Sequence, residues 1–164
     1  MRSQRVQALL DDIERAQQEL DTQLDGISRK ELHTPIQNGE WSIAQVLAHV
    51  CEVERHRTGK VAILLQEQDP LLDRTPQESQ ARLKAVEEHG RDGLVQIRQN
   101  LRQAHRGVLQ TVRSLGARDL SRQGHRANGQ RLTLETYLRT HLVQHLREHA
   151  RQVAAIRKAL AQEA

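Results

Sequence analysis

The stretch HLVQHLREHARQV, residues 141–153, places His141, His145 and His149 at every fourth position. Each residue of an α-helix turns by ~100°, so side chains four apart share a face. A wheel drawn from Leu134 puts Leu138 and Ile156 at ~40°, Leu160 at ~80° and Val153 at ~100°. His145 at ~20° and His149 at ~60° fall inside that apolar stripe, and His141 lies at its edge near ~340°. Arg139, Arg147, Arg151 and Arg157 fall on the other side. Two imidazoles one turn apart are costly to bury without partners. A divalent ion held by both offsets that cost, and an i,i+4 pair is a recurring way to bring two nitrogens to one ion. The plainer reading is a pair of core histidines with satisfied hydrogen bonds, and nine histidines in the chain raise the chance of coincidence.

A metal needs a third ligand from another helix. His49 and His56 share a stripe with Val46 and Val53, but they stand two turns, about 10 Å, apart and cannot both reach one ion. The apolar neighbours of His49 favour it over His56, which follows the charged run EVER. The segment HLREH also matches the inverted zinc-protease pattern H-x-x-E-H. That reading fails because the ligand expected downstream finds only Glu163, and the ordinary H-E-x-x-H pattern fails because Leu146 follows His145.

Four long helices must position these residues. Val6, Leu9, Leu10, Ile13, Ala16, Leu20 and Leu24 make the first stripe, stopped by Gly26. ELHTPIQNGE reads as a loop broken by Pro35 and Gly39. Ser42 and Gln45 form a capping box for a second helix from Ile43 to about Gln68, ended by Asp69-Pro70. A connector holds a short helix, PQESQARLKAVEEH, before a third helix from about Leu94 to Leu115. A polar, Gly-containing loop precedes Thr133, which caps a fourth helix running to about Leu160. Nothing alternates with period two, so no strand is expected. The pattern predicts an all-α four-helix bundle, one domain over residues 1–164. The connection between the second and third helices is long enough to cross the bundle, so simple up-down topology is not required. A β-sheet, or a last helix turned to expose both histidines, would remove the basis for the site.

Composition narrows the function. Phe is absent and Trp41 and Tyr137 are the only aromatics, so the core is aliphatic and the stacking platforms of single-strand nucleic-acid binders are missing. The formal charge is +4, but Arg and Glu alternate and no dense basic block stands out, which reads as a solvated surface rather than a nucleic-acid interface. Cys51 is the only cysteine, which fits a reducing compartment. The N-terminus becomes charged too early for a signal peptide, and the longest apolar run, VAILL, is too short for a membrane span. The expectation is a cytoplasmic protein without a membrane segment.

NGEWSIAQVLAHVCEVE, with Trp41 and His49 eight residues apart, resembles the G-x-W-S signature of the DinB/YfiT-like superfamily. HLVQHLREHARQV is similar to that family's last helix, where H-x-x-x-H is followed by Gln three residues later, here His145, His149 and Gln152. The resemblance covers nearly the whole chain. It implies a four-helix bundle with an unusual crossover, a divalent metal on His49, His145 and His149, and a homodimer. Activity in such proteins is commonly thiol-dependent transfer or isomerisation with a low-molecular-weight thiol, and many members have no assigned activity. One departure is Glu148, where the family often carries another His before the last ligand.

Two functions of different kinds follow. The first is a metal-dependent enzyme on a small molecule, a thiol S-transferase or a hydrolase. Three imidazoles leave coordination positions open, where a water is acidified toward a pKa of ~7 or a thiol is held as thiolate. A structural zinc usually has four protein ligands, and no fourth is evident because Cys51 points to another side of its helix. Zn and Ni are the metals favoured. Glu54, oddly placed beside an apolar stripe, and Glu148 are the weak candidates for a catalytic base, although a salt bridge to an arginine is the simpler role for either. The second function is a non-catalytic, stress-related binding bundle whose metal ties two helices together. The enzyme reading requires the three sets of imidazole nitrogens to converge within about 3–4 Å, with an ion ~2.1 Å from each.

Overall fold

The computed structural model describes residues 3–164; Met1 and Arg2, where the expected domain begins, lie outside the described residues. Helices α1 (Gln4–Thr22), α3 (Ile43–Gln66) and α5 (Leu94–Arg113) are joined by a fourth long rod. That rod runs from α6 (Leu134–Leu138) through a π-helical turn (Arg139–Gln144) into α7 (His145–Gln162). Short helices α2 (Arg29–His33) and α4 (Pro76–His89) fill the connections. The buried side chains of the four rods form one aliphatic cluster, with Leu10, Ile13, Leu47, Leu101 and Leu146 among its members.

The caps explain the starts. Ser3 accepts from the Val6 amide, and Ser42 accepts from the Gln45 amide while the Gln45 side chain accepts from the Ser42 N–H. Thr75 and Glu78 make the same reciprocal box at α4, with Pro76 in the first turn where its missing N–H costs nothing. Gly26 adopts φ +64° just past α1, a conformation that side-chain-bearing residues disfavour.

Cross-links between helices fix their directions. Arg113 pairs with Glu14, His105 with Asp21, and Arg98 donates to the Leu24 carbonyl, so α1 and α5 are antiparallel. Glu135 bonds Arg5, Arg147 pairs with Glu19, and Arg157 donates to the Gln23 carbonyl, so α1 and the last rod are parallel. Glu54 meets His105, and nearer the starts of both helices Leu47 and Cys51 share a cleft with Ile97 and Asn100, so α3 runs parallel to α5. α1 packs mainly against α5 and the last rod, and α3 against α5, α4 and the last rod. Two consecutive parallel helices demand a connection that travels the length of the bundle, and α4 provides it, lying along α3.

Three sequence expectations are corrected. ELHTPIQNGE is not all loop: a second capping box, Ser28 with Glu31, starts α2, which takes in Glu31, Leu32 and His33. The chain is also not strand-free. Gln123–His125 and Arg131–Thr133 pair as a small antiparallel hairpin, and Leu71 bridges to His125. Three residues per strand are too few for period-two alternation to register, and Gly129 at φ +84° supplies the turn. The hairpin sits in the connection before α6 and leaves the histidine-bearing helices in place, so the condition that any sheet would undo the site was too broad. The wheel phase of the last helix shifts as well. The π turn advances less than 100° per residue, so Leu142, Val143, Leu146 and Ala150 take the buried face and His145 and His149 sit half-buried at its edge. Val153 and Ile156 are core residues and the half-buried Leu160 packs against the core; among the described residues the exposed large apolar side chains are Leu71, Leu83 and Val95.

Of the arginines expected to face outward, Arg151 is exposed, whereas Arg139 and Arg147 are half-exposed and reach the α1 carboxylates Asp12 and Glu19. No helix among the described residues is long and apolar enough to cross a membrane.

Candidate metal centre

The capping box at Ser42 sets the first turn of α3, and His49 follows two turns later. Trp41, just before the cap, lays its ring 5.3 Å from the His49 imidazole, which is only 7% exposed. Antiparallel packing of α7 on α3 brings His145 and His149 opposite. Their ring centroids lie 5.2 and 5.0 Å from that of His49, and 4.2 Å from each other. One ligand atom from each of the three falls within 4.8 Å of the others, a looser set than the 3–4 Å expected. The tightest pair is Nε2 of His145 and Nε2 of His149, 3.0 Å apart. Two nitrogens at ~2.1 Å from a tetrahedral ion stand ~3.4 Å from each other, so the pair needs to open by only a few tenths of an ångström to take an ion.

The protons point the right way. The Gln152 Oε1 accepts from His149 Nδ1 at 2.7 Å, which leaves the Nε2 lone pair of His149 aimed at His145. His49 Nδ1 is buried without a hydrogen-bond partner among the described residues. Burial pushes His49 down to about 3, and His149, Arg82, Arg74 and Arg57 add positive charge that acts in the same direction. Burial, with His149 and His49, takes His145 down to about 2. Burial lowers His149 as well, with Gln152 and Glu148 pulling the other way. All three imidazoles are neutral at physiological pH, the form that binds a cation. The set fits a divalent ion: an orphaned buried nitrogen on His49, and two facing imidazole nitrogens that share one exchangeable proton a cation can displace.

The neighbouring histidines stand apart. His141 packs its ring against Tyr137 at a tilt, 5.2 Å between centroids, and its backbone carbonyl accepts from Arg57. His56 lies two turns beyond His49, half-buried, with its Nε2 unpartnered. Neither joins the cluster. Cys51 is buried, and burial drives its thiol up to about 12, so it is neither a thiolate nor a fourth ligand.

Glu54 is 1% exposed and its partner is a histidine rather than the expected arginine. His105 Nδ1 donates to Glu54 at 2.6 Å, His105 Nε2 meets Asp21 at 3.2 Å, and Gln17 donates to the other Glu54 oxygen. Burial works against the imidazolium, but hydrogen bonds and charge from Asp21 and Glu54 outweigh it and raise His105 to about 9. The network ties α1, α3 and α5 together, away from the three histidines. Its signal in the sequence was a carboxylate on one buried stripe and a histidine on another. Glu148 is exposed beside His149.

A sequence profile of the DinB superfamily matches residues 12–153. The chain belongs to the DinB superfamily. Its fold is that of YfiT from Bacillus subtilis, described as a probable metal-dependent hydrolase with an unusual four-helix bundle topology. That match has a TM-score of 0.76 at 17% identity, over 95% of this chain and 87% of YfiT. A mycothiol-dependent maleylpyruvate isomerase superposes at TM-score 0.72 and 15% identity over 88% of this chain. A mutant of that isomerase gives 0.71 at 14% identity. This DinB-superfamily chain spans 59% of the isomerase's length. No curated protein matches the sequence significantly. At these identities the neighbours establish the fold of this DinB-superfamily chain and not its reaction.

Proposed function

We propose that this protein is a metal-dependent enzyme acting on a small molecule, as a thiol S-transferase or a hydrolase, with His49, His145 and His149 as the ligands of a Zn or Ni ion. The observation that carries the reading is the convergence of three neutral imidazoles from two helices, one of them oriented by Gln152. A divalent ion held there supplies Lewis acidity, which lowers the pKa of a water or thiol nucleophile. The chain's own residues do the rest. The Ser42 cap and the Trp41 ring hold His49, Gln152 sets the tautomer of His149, and the neutral imidazoles place no charge against a cation.

A catalytic site is favoured over a closed structural one. The cluster offers three ligands among the described residues and not four, and His145 and His149 are half-buried rather than sealed. The metal-dependent and mycothiol-dependent neighbours lend support to a metal and to a low-molecular-weight thiol cosubstrate. A homodimer belongs to the same proposal.

The test is elemental analysis of protein purified without added metal or an affinity tag, then assays of thiol transfer to small electrophiles and of ester and amide hydrolysis. Stoichiometric Zn or Ni with metal-dependent turnover is the expected outcome. Tight metal binding with no turnover across several thiols would move the reading to the non-catalytic bundle.

A further inference from the structure

Along the same groove between α3 and the last rod lies a partly open cavity of about 260 Å³, to which α4 contributes Arg82 and the hairpin turn Arg126. Four arginines line it: Arg57, Arg74, Arg82 and Arg126. Two have carboxylate partners. Arg74 clamps Glu52 through two bonds of 2.7 Å, and Arg126 Nε donates to Asp73 at 3.0 Å. The other two make no ion pair among the described residues. Arg57 donates to neutral oxygens, the Tyr137 hydroxyl at 3.0 Å and the His141 carbonyl at 3.3 Å, and lies over the Tyr137 ring. Arg82 keeps its Nε buried with no hydrogen-bond partner. Four guanidiniums against the carboxylates of Glu52 and Asp73 leave two positive charges facing one small space.

That arrangement is unfavourable unless an anion answers it. Like charges repel in a partly desolvated cavity, and an unpaired buried donor costs the hydration it gave up. The planar fork of a guanidinium matches a carboxylate in two parallel bonds. The volume suits a molecule of a few carbons rather than a nucleotide or a peptide. The position suits a substrate site. His141, on the cavity wall, is one turn before His145, and Arg57 is eight residues after His49 on α3, about 12 Å along the axis.

We propose that this cavity is an anion subsite in which Arg57 and Arg82 hold the carboxylate of a small organic acid, with the rest of the molecule directed toward His49, His145 and His149. The substrate role rests on the metal-dependent reading above; the anion site itself does not. Tyr137 packs against Arg57, whose Nη2 stays unengaged, and the Arg74–Glu52 and Arg126–Asp73 pairs hold the walls without using that nitrogen or the Arg82 guanidinium.

The experiment is calorimetric titration of the full chain, stripped with chelator and again after metal loading, at low salt. Malonate is the probe, inorganic phosphate the second arm and malonamide the uncharged control. Malonate is expected to bind one to one in both forms and malonamide not at all. Arg82→Gln and Arg57→Gln should each weaken malonate by about tenfold or more, the scale of one charge-assisted bond. Arg147→Gln, whose guanidinium pairs with Glu19 on α1, should leave it unchanged. Arg82→Gln keeps the test open if Arg57→Gln fails to fold, because Arg82 makes no bond that the bundle needs. Undiminished malonate binding in Arg82→Gln, or equal losses in Arg147→Gln, would overturn the proposal. Phosphate binding tighter than malonate would overturn the carboxylate assignment in favour of a phosphate ester. Malonate binding intact in a protein that takes up no metal would sink the metal-dependent reading while leaving the subsite standing.

Discussion

Lowering the pH of the metal-free protein from 7 to 5 should cost it a large share of its stability, through the candidate metal centre. His49 and His145 have folded-state values near 3 and 2, set first by burial. In the unfolded chain each titrates near the ordinary ~6.5. A group whose folded value is depressed keeps its contribution above the unfolded value and loses it as the pH falls below ~6.5, the loss growing until the folded value is reached. At pH 5 an unfolded imidazole of pKa ~6.5 gains about 2 kcal/mol from protonation that the folded one cannot take up, so the two together cost about 4 kcal/mol. Against a typical total of roughly 5–15 kcal/mol, that difference is easily measured. Urea unfolding of chelator-stripped protein at both pH values gives it directly. His56 and His141, both lowered to about 4, add to the same limb, so His145→Gln should remove only its own share, about 2 kcal/mol, and saturating zinc should raise stability at neutral pH. Stability that is flat between pH 7 and 5, or the same pH dependence in His145→Gln, would refute the claim that these imidazoles are held neutral by their setting.

His145→Ala should abolish metal binding in a zinc titration, while His141→Ala, at a residue that packs against Tyr137 outside the cluster, should leave it nearly intact; equal losses would mean the wrong pair on the last helix. Gln152→Ala removes the acceptor that fixes the His149 tautomer and should weaken zinc about 10–100-fold without changing the helix content seen by circular dichroism. On the alkaline side His105 is the reporter: its value, raised to about 9, gives stability that is complete below ~6.5 and is lost as the pH rises through 9, on the order of 3 kcal/mol, and Glu54→Gln should flatten that limb of the urea-midpoint profile. Sedimentation at tens of micromolar should show a dimer; a monomer throughout would remove that part of the proposal.

Local chemistry carried the elements and the metal-binding candidates. The capping box at Ser42, the apolar stripes of α1, α3 and α5, and the bounds of α4 all follow from interactions three or four residues apart, and such interactions are written in the sequence. The i,i+4 pair His145 and His149 was legible for the same reason, and its partner His49 came from a neighbouring apolar context and the family pattern. Packing decided the rest. The π turn at Arg139–Gln144 has no mark in a wheel that assumes uniform rotation, yet it sets how far the two histidines are buried. The parallel run of α3 and α5 brings Glu54 to His105 across 51 positions, and it turned a candidate base into one half of a buried ion pair. Arg57, Arg82 and Arg126 are three of many arginines in the sequence. What separates them is which have a carboxylate in reach, and that is settled by contacts between α3, α4 and the hairpin rather than by anything within a helical turn of any one of them.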